Sequence, residues 1–168
     1  MKFSPLMLVL ISLMSIVCLL QNAQGGQSQP GQNGTDTQSQ EDDIREVIFR
    51  HLFGHNASGQ QKNGAVYFLS LGKDKYPSKE FLARFKEHKP IVKSEKDSII
   101  KDGGVVDKQS GKSGLRFSVE QVKWINEKQI EAYGTYYEGN LSSAGYTYQL
   151  AKENGKWVVI KQTMNLIS

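Results

Sequence analysis

The chain has 168 residues, a formal charge of +4 at neutral pH and a single cysteine. That length is in the range of one domain of roughly 100–200 residues plus short extras. One cysteine excludes a fold stapled by internal disulfides.

The N-terminus carries the clearest address. Lys2 gives a positive start, Leu6 to Leu20 form an almost unbroken apolar run, and Ala23-Gln24-Gly25 is a small-x-small cleavage pattern. This is the layout of a secretory signal peptide over residues 1–25, and the run is short of the roughly 20 residues that span a bilayer. Cys18 lies inside the run, where Val17 precedes it and Leu19 follows, so it lacks the small residue that a lipid-attachment signal places before its cysteine. Cleavage at this site leaves no cysteine and a charge of +3. The expected location is secreted or periplasmic, with membrane contact only through the signal segment and no nucleic-acid partner.

Residues 26–40 are polar and small, without a large apolar side chain, and read as a disordered polar tether. Residues 41–168 read as one α+β domain. Its first element is a helix over Asp42–Phe53. Ile44, Val47, Ile48 and Leu52 fall on one face, Phe49 and Phe53 widen it, and Gly54 ends it. Ser39 and Asp42 resemble a capping box, with Glu41, Asp42 and Asp43 in the first turn and Arg50 and His51 late.

Ala65 to Leu71 is a short apolar run of the kind that forms a buried strand. Ser78 caps a second helix over Ser78–Lys86, with Phe81, Leu82 and Phe85 at helical spacing and Pro90 as the stop. Ile91 to Val106 is weakly patterned around a Gly103-Gly104 turn. Leu115, Phe117 and Val119 then alternate with polar residues before the apolar phase slips to Val122 and Trp124, which predicts a β-bulge near Glu120-Gln121. Strands over Ile130–Gly139 and Ala144–Ala151 follow, Asn154-Gly155 turns a hairpin, and Trp157–Ile160 and Met164–Ile167 close an antiparallel sheet.

That order, helix, strand, helix and long bent antiparallel strands, resembles the nuclear-transport-factor-2-like (cystatin-like) α+β superfamily. Gly155-Lys156-Trp157-Val158-Val159 is similar to the Gly-x-Trp-hydrophobic hairpin near the C-terminus of many members. The resemblance implies N-terminal helices packed on a curved, bulged antiparallel sheet that forms a cone. It does not select a function, because the same cone hosts enzymes, ligand binders and dimerisation modules. The Gln-x-Val-x-Gly wedge of cystatin inhibitors has no counterpart, since Gln121-Val122-Lys123-Trp124 lacks the spacing and the glycine.

The residues suggest little chemistry. His51 and His55 have metal-ligand spacing, but Gly54 falls between them and no third ligand is evident, so no metal or other cofactor is expected. Gly111-Lys112-Ser113 resembles the end of a phosphate-binding loop. Val106 stands where that loop needs glycine and a strand follows, so a hairpin turn is the better reading. Lys73 to Lys101 holds nine basic and five acidic residues, interspersed as on a solvated helix. Asn33, Asn56 and Asn140 head Asn-x-Ser/Thr triplets that matter only in a glycosylating cell.

Trp124, Tyr133, Tyr137 and Trp157 are expected to line or fill the interior; alternation puts Glu131, the single acid–base candidate, on the face of Tyr133 and Tyr137, and at least two of the aromatics are expected to share one interior with it. The favoured function is a non-catalytic exported module that binds a small molecule or a protein partner. A metal-independent pocket enzyme doing proton transfer or hydration is the alternative, and a homodimeric structural module is the third.

Overall fold

The computed structural model describes residues 32–59, 64–140 and 142–167. The expected signal segment over residues 1–25, with Cys18, lies outside them. The chain divides at Gly34/Thr35, and the second unit, Thr35–Ser168, carries the fold set out below.

Helix α1 spans Gln32–Gly54. It starts at Gln32 rather than at Asp42, so Gln32 to Gln40 of the stretch read as a tether are helical. Ser39 therefore lies within the helix and is not its cap. This polar segment carries no apolar stripe, so hydrophobic periodicity cannot reveal it. Pairs one turn apart support the helix instead: Gln38 Nε2 donates to Asp42 Oδ1 at 2.8 Å, and Glu41–Arg45 and Glu46–Arg50 form ion pairs at 2.7 and 2.8 Å. Beyond it, Ile44, Ile48, Phe49 and Leu52 are fully buried, as the spacing predicts.

Strand β1 (Val66–Ser70) is buried along its whole length. Its partners explain the continuous apolar run: it pairs parallel with β2 (Ile91–Ser94) on one side and with β5 (Gly114–Asn126) on the other. A strand covered on both faces reads as an apolar run rather than an alternation. The sheet is consequently mixed, not purely antiparallel. Between β1 and β2 lies α2, which spans Lys79–Ala83 and so ends before Lys86. Ser78 caps it by accepting from the Phe81 N–H at 3.1 Å. Past Ala83 the chain tightens into turns one residue shorter than an α-turn, with Phe85 N–H donating to Leu82 O and Lys86 N–H to Ala83 O. Arg84 holds α2 to α1 through Asp43 at 2.7 Å and Glu46 at 3.1 Å, and Phe81 and Phe85 pack edge-on against Phe49.

The weakly patterned stretch forms β2, a 3-10 turn (Glu95–Asp97), β3 (Ser98–Lys101) and β4 (Gly104–Asp107). Its turn is centred on Asp102-Gly103 instead of Gly103-Gly104, with φ of 51° and 80°. The turn falls at residues 108–110, just before Gly111 to Ser113, and Val106 bridges antiparallel to Ser113. β5, β6 (Gln129–Gly139), β7 (Ser142–Glu153) and β8 (Lys156–Ile167) then run antiparallel in chain order. Their register shifts between Val119 and Gln121, which makes Glu120 the extra, bulged residue. β8 is one strand rather than two, with shifts near Ile160 and Asn165 producing the phase changes that divide it in the sequence. Asn154 (φ 50°) and Gly155 (φ 80°) turn the last hairpin.

The result is α+β: a mixed, curved, open sheet of eight strands with few helices. One face packs against the helices. Tyr67, Leu69, Leu115, Phe117, Val119, Ile130, Ala132, Tyr136, Tyr146, Tyr148 and Leu150 join α1, Phe81 and Phe85 in a single core. The opposite face is polar except near β4, where Val66, Phe68 and Val105 bury each other against Tyr137.

Candidate functional site

The site follows from the alternation along β1, β5 and β6. Since Leu69, Phe117 and Tyr136 point to the helices, their neighbours Ser70, Arg116, Ser118, Thr135 and Tyr137 point the other way. Register then places them side by side. Ser70 is opposite Ser118, Ser118 is opposite Thr135, and Arg116 is opposite Tyr137. A row of three hydroxyls thus crosses three strands, with the Arg116–Tyr137 pair one step along.

This row floors a groove of about 420 Å³ on the outer face of the sheet. The volume is near the small end of the about 300–1,000 Å³ typical of small-molecule sites. Gly72, Lys73, Asp74 and Tyr76, from the loop after β1, form one wall; Glu95 and Ile100 form another; the bulged Glu120 closes an end. Gly72 has φ of 117°, a backbone that only glycine adopts without strain, and this turns the loop back over Glu120.

Three polar side chains of the groove are engaged within the fold. Ser70 Oγ donates to the Gly72 carbonyl at 2.9 Å. Arg116 is committed: its Nε donates to Ser98 Oγ at 2.8 Å, and its Nη1 lies 3.3 Å from Glu95 Oε1. Tyr137 donates its hydroxyl proton to Asn140 Oδ1 at 3.0 Å. Ser118 is the exception. Its Oγ is buried and has no hydrogen-bond partner among the described residues. A buried hydroxyl left unpaired costs about 1–3 kcal/mol; Ser94 Oγ and Tyr148 Oη share this state, but of the three only Ser118 belongs to a residue that lines a groove.

The wall opposite the loop is anchored near β4. Asp107, 1% exposed, accepts from the Ser110 hydroxyl at 2.6 Å, the Ser110 N–H at 3.0 Å and Lys93 Nζ at 2.9 Å. These bonds, the Ser110 hydroxyl first, hold its carboxyl below the usual aspartate value.

The residues singled out from the sequence are split between the two faces. Trp124 and Trp157 are on the helix side, edge to face at 5.5 Å, with Lys152 Nζ 5.7 Å from the Trp157 ring centroid. Trp124 lines a second, more open groove of about 650 Å³ with Gln40, Asn126 and Lys128. Tyr133, Tyr137 and Glu131 are on the outer face. A Cβ on Gly145 would run into the Tyr133 ring, which places that ring over β7. Glu131 stands half-buried between its cross-strand partners Lys123 and Gln149 and does not line the Ser118 groove. The sheet therefore separates the tryptophans from Glu131 and the tyrosines, and they do not share one interior. Tyr137 alone of the five belongs to the groove.

Between helices and sheet the expected cone is filled. Tyr136, Tyr146 and Tyr148 are buried there with phenyl rings in contact. Burial pushes the Tyr148 hydroxyl far above the usual phenol value and raises Tyr146 less, because the Ala57 N–H donates to Tyr146 Oη at 3.2 Å. Neither phenol ionises near neutral pH. His51 and His55 are engaged locally: their rings stack at 4.3 Å, His51 Nε2 lies 2.7 Å from Gln162 Oε1, and His55 Nδ1 lies 3.1 Å from the His51 carbonyl.

Sequence reasoning missed Ser70, Ser118, Thr135 and Arg116. Alternation with Leu115, Phe117 and Val119 does place Arg116 and Ser118 on the far face. What brings Ser70 beside them is the parallel pairing of β1 with β5, which no local pattern announces. Among known proteins, no family model, curated protein or solved structure matches this chain.

Proposed function

We propose that the protein is an exported, non-catalytic module that binds a small ligand in the outer-face groove. The observation that carries this reading is Ser118: a buried hydroxyl without a partner, at the centre of a hydroxyl row, on the floor of a groove of small-molecule size. This hydroxyl is closed to solvent in the fold as it stands, so a ligand that opened access to it and paired with it would offset the desolvation cost left there.

Within this reading the chain is a nuclear-transport-factor-2-like domain. The helix–strand–helix order before four long antiparallel strands and the Gly155-Lys156-Trp157 hairpin support that assignment. The departures are the parallel pairing of β1 with β2 and β5 and the side of the sheet used. Export rests on the charged start, apolar run and small-x-small site of residues 1–25.

A fragment screen followed by amide chemical shifts tests the reading. Shifts should cluster on Ser70, Ser118, Thr135 and Gly72. Shifts confined to the helix side, around Trp124 and Lys152, would overturn it.

A further inference from the structure

Resting on the groove reading above, we infer that the ligand is a small neutral saccharide. Three features of the groove converge on that class.

The first is charge. The groove carries Lys73 and Arg116 against Asp74, Glu95 and Glu120, so it holds no surplus of positive charge. Its arginine is paired with Glu95 and tied to Ser98. An anionic ligand needs cationic donors that are free to pair with it, in the bidentate geometry that makes arginine the usual partner of carboxylate and phosphate. Here the arginine is already paired, and Lys73 stands among three carboxylates, Asp74, Glu95 and Glu120. Charged groups held in place by one another still form good hydrogen bonds to neutral hydroxyls, without demanding a counter-charge.

The second is the floor. A hydroxyl both donates and accepts. Ser70, Ser118 and Thr135 occupy successive strands, about 4.8 Å apart, a spacing that the hydroxyls of one sugar ring can bridge. Ser70 donates to the Gly72 carbonyl and keeps its acceptor capacity, while Ser118 keeps both functions. A ligand whose own polar groups are hydroxyls can meet either requirement by rotation of one bond.

The third is the wall. Tyr76 is 46% exposed and Ile100 is 44% exposed, two large apolar side chains left in water, and both line this groove. With the Tyr137 ring they offer apolar surface above a polar floor. A sugar ring has the matching character, with a C–H face to lie on an aromatic ring and hydroxyls at its edge.

Calorimetry and amide shifts on the protein with five probes test the inference: cellobiose, N,N′-diacetylchitobiose, glycylglycine, inorganic phosphate and putrescine. One or both saccharides should move the Gly72, Ser118 and Thr135 amides. Ser118→Ala should weaken that binding about tenfold, the loss of one hydrogen bond, without lowering the unfolding midpoint. Removing an unpaired hydroxyl does not cost the free fold, so the variant separates a binding role from a structural one. Movement of the same amides by a charged probe but by neither saccharide would overturn the ligand class and leave the groove reading standing. The carboxylates of Asp74, Glu95 and Glu120 in the groove make putrescine the sharpest rival. Silence from all five probes at those amides would overturn the class and the groove together.

Discussion

Tyr148→Phe should stabilise this protein, an unusual sign for a change in a fully buried side chain. Tyr148 is 0% exposed, within a core shared with Tyr146, Leu150 and α1, and its Oη has no partner among the described residues. Removing the hydroxyl returns the desolvation penalty of an unpaired buried group, about 1–3 kcal/mol. Against this stands the loss of one oxygen's packing contacts, each worth about 0.1–0.2 kcal/mol and so roughly 0.5–1 kcal/mol together. The net expectation is a gain of about 0.5–2 kcal/mol. For a domain of this size, about 3–5 °C per kcal/mol converts that to a rise of a few degrees in Tm. Tyr146→Phe is the internal control. Its hydroxyl accepts from the Ala57 N–H at 3.2 Å, so the same chemical change there should cost about 0.5–1.5 kcal/mol. Urea unfolding of the two variants, with an unchanged m-value, measures both effects. A fall in midpoint for Tyr148→Phe as large as that for Tyr146→Phe would refute the reasoning and place a partner on the Tyr148 hydroxyl.

Gly114→Ala should destabilise by about 2 kcal/mol or more in the same assay, because its Cβ would collide with the Val66 carbonyl oxygen and the Phe68 ring where β5 pairs with β1; an unchanged midpoint would mean that the two strands are not in this register. Asp107 has a folded pKa below its unfolded value, so its contribution to stability is fully present above about pH 4 and is lost as pH falls through the lowered folded value. The gap in midpoint between wild type and Asp107→Asn should therefore be widest near neutrality and close in acid; a gap independent of pH would count against the Ser110 and Lys93 bonds. Mass spectrometry of protein exported by its own cell should find the mature N-terminus within about three residues of Gly26, and an intact Met1 would remove the export reading.

How much of this could be read from the sequence depends on the range of the interaction involved. The apolar face of α1, the Ser78 cap, the Asn154-Gly155 turn and the bulge at Glu120 are set by residues within a turn or two of one another, and each left a local trace. The polar first half of α1 left none, because i, i+4 pairs such as Gln38–Asp42 carry no hydrophobic period. Nor did the direction of β1. An apolar run over Val66–Ser70 reports burial on both faces but not whether the neighbouring strands run parallel. That pairing joins Ser70 to Ser118 across nearly fifty residues of chain and creates the hydroxyl row. The separation of the tryptophans from Glu131 has a related reason. Trp124 and Glu131 belong to adjacent strands, and with the bulge at Glu120 counted, Trp124 pairs with Ile130 and shares its face, while Glu131 takes the other.

The most direct test is a crystal structure of the protein purified from the cells that produce it. The account expects density from a non-protein molecule in the outer-face groove, with an oxygen at hydrogen-bond distance from Ser118 Oγ and a ring against Tyr76. A groove closed by its own loop, with the Ser118 hydroxyl donating to a protein carbonyl, would contradict it.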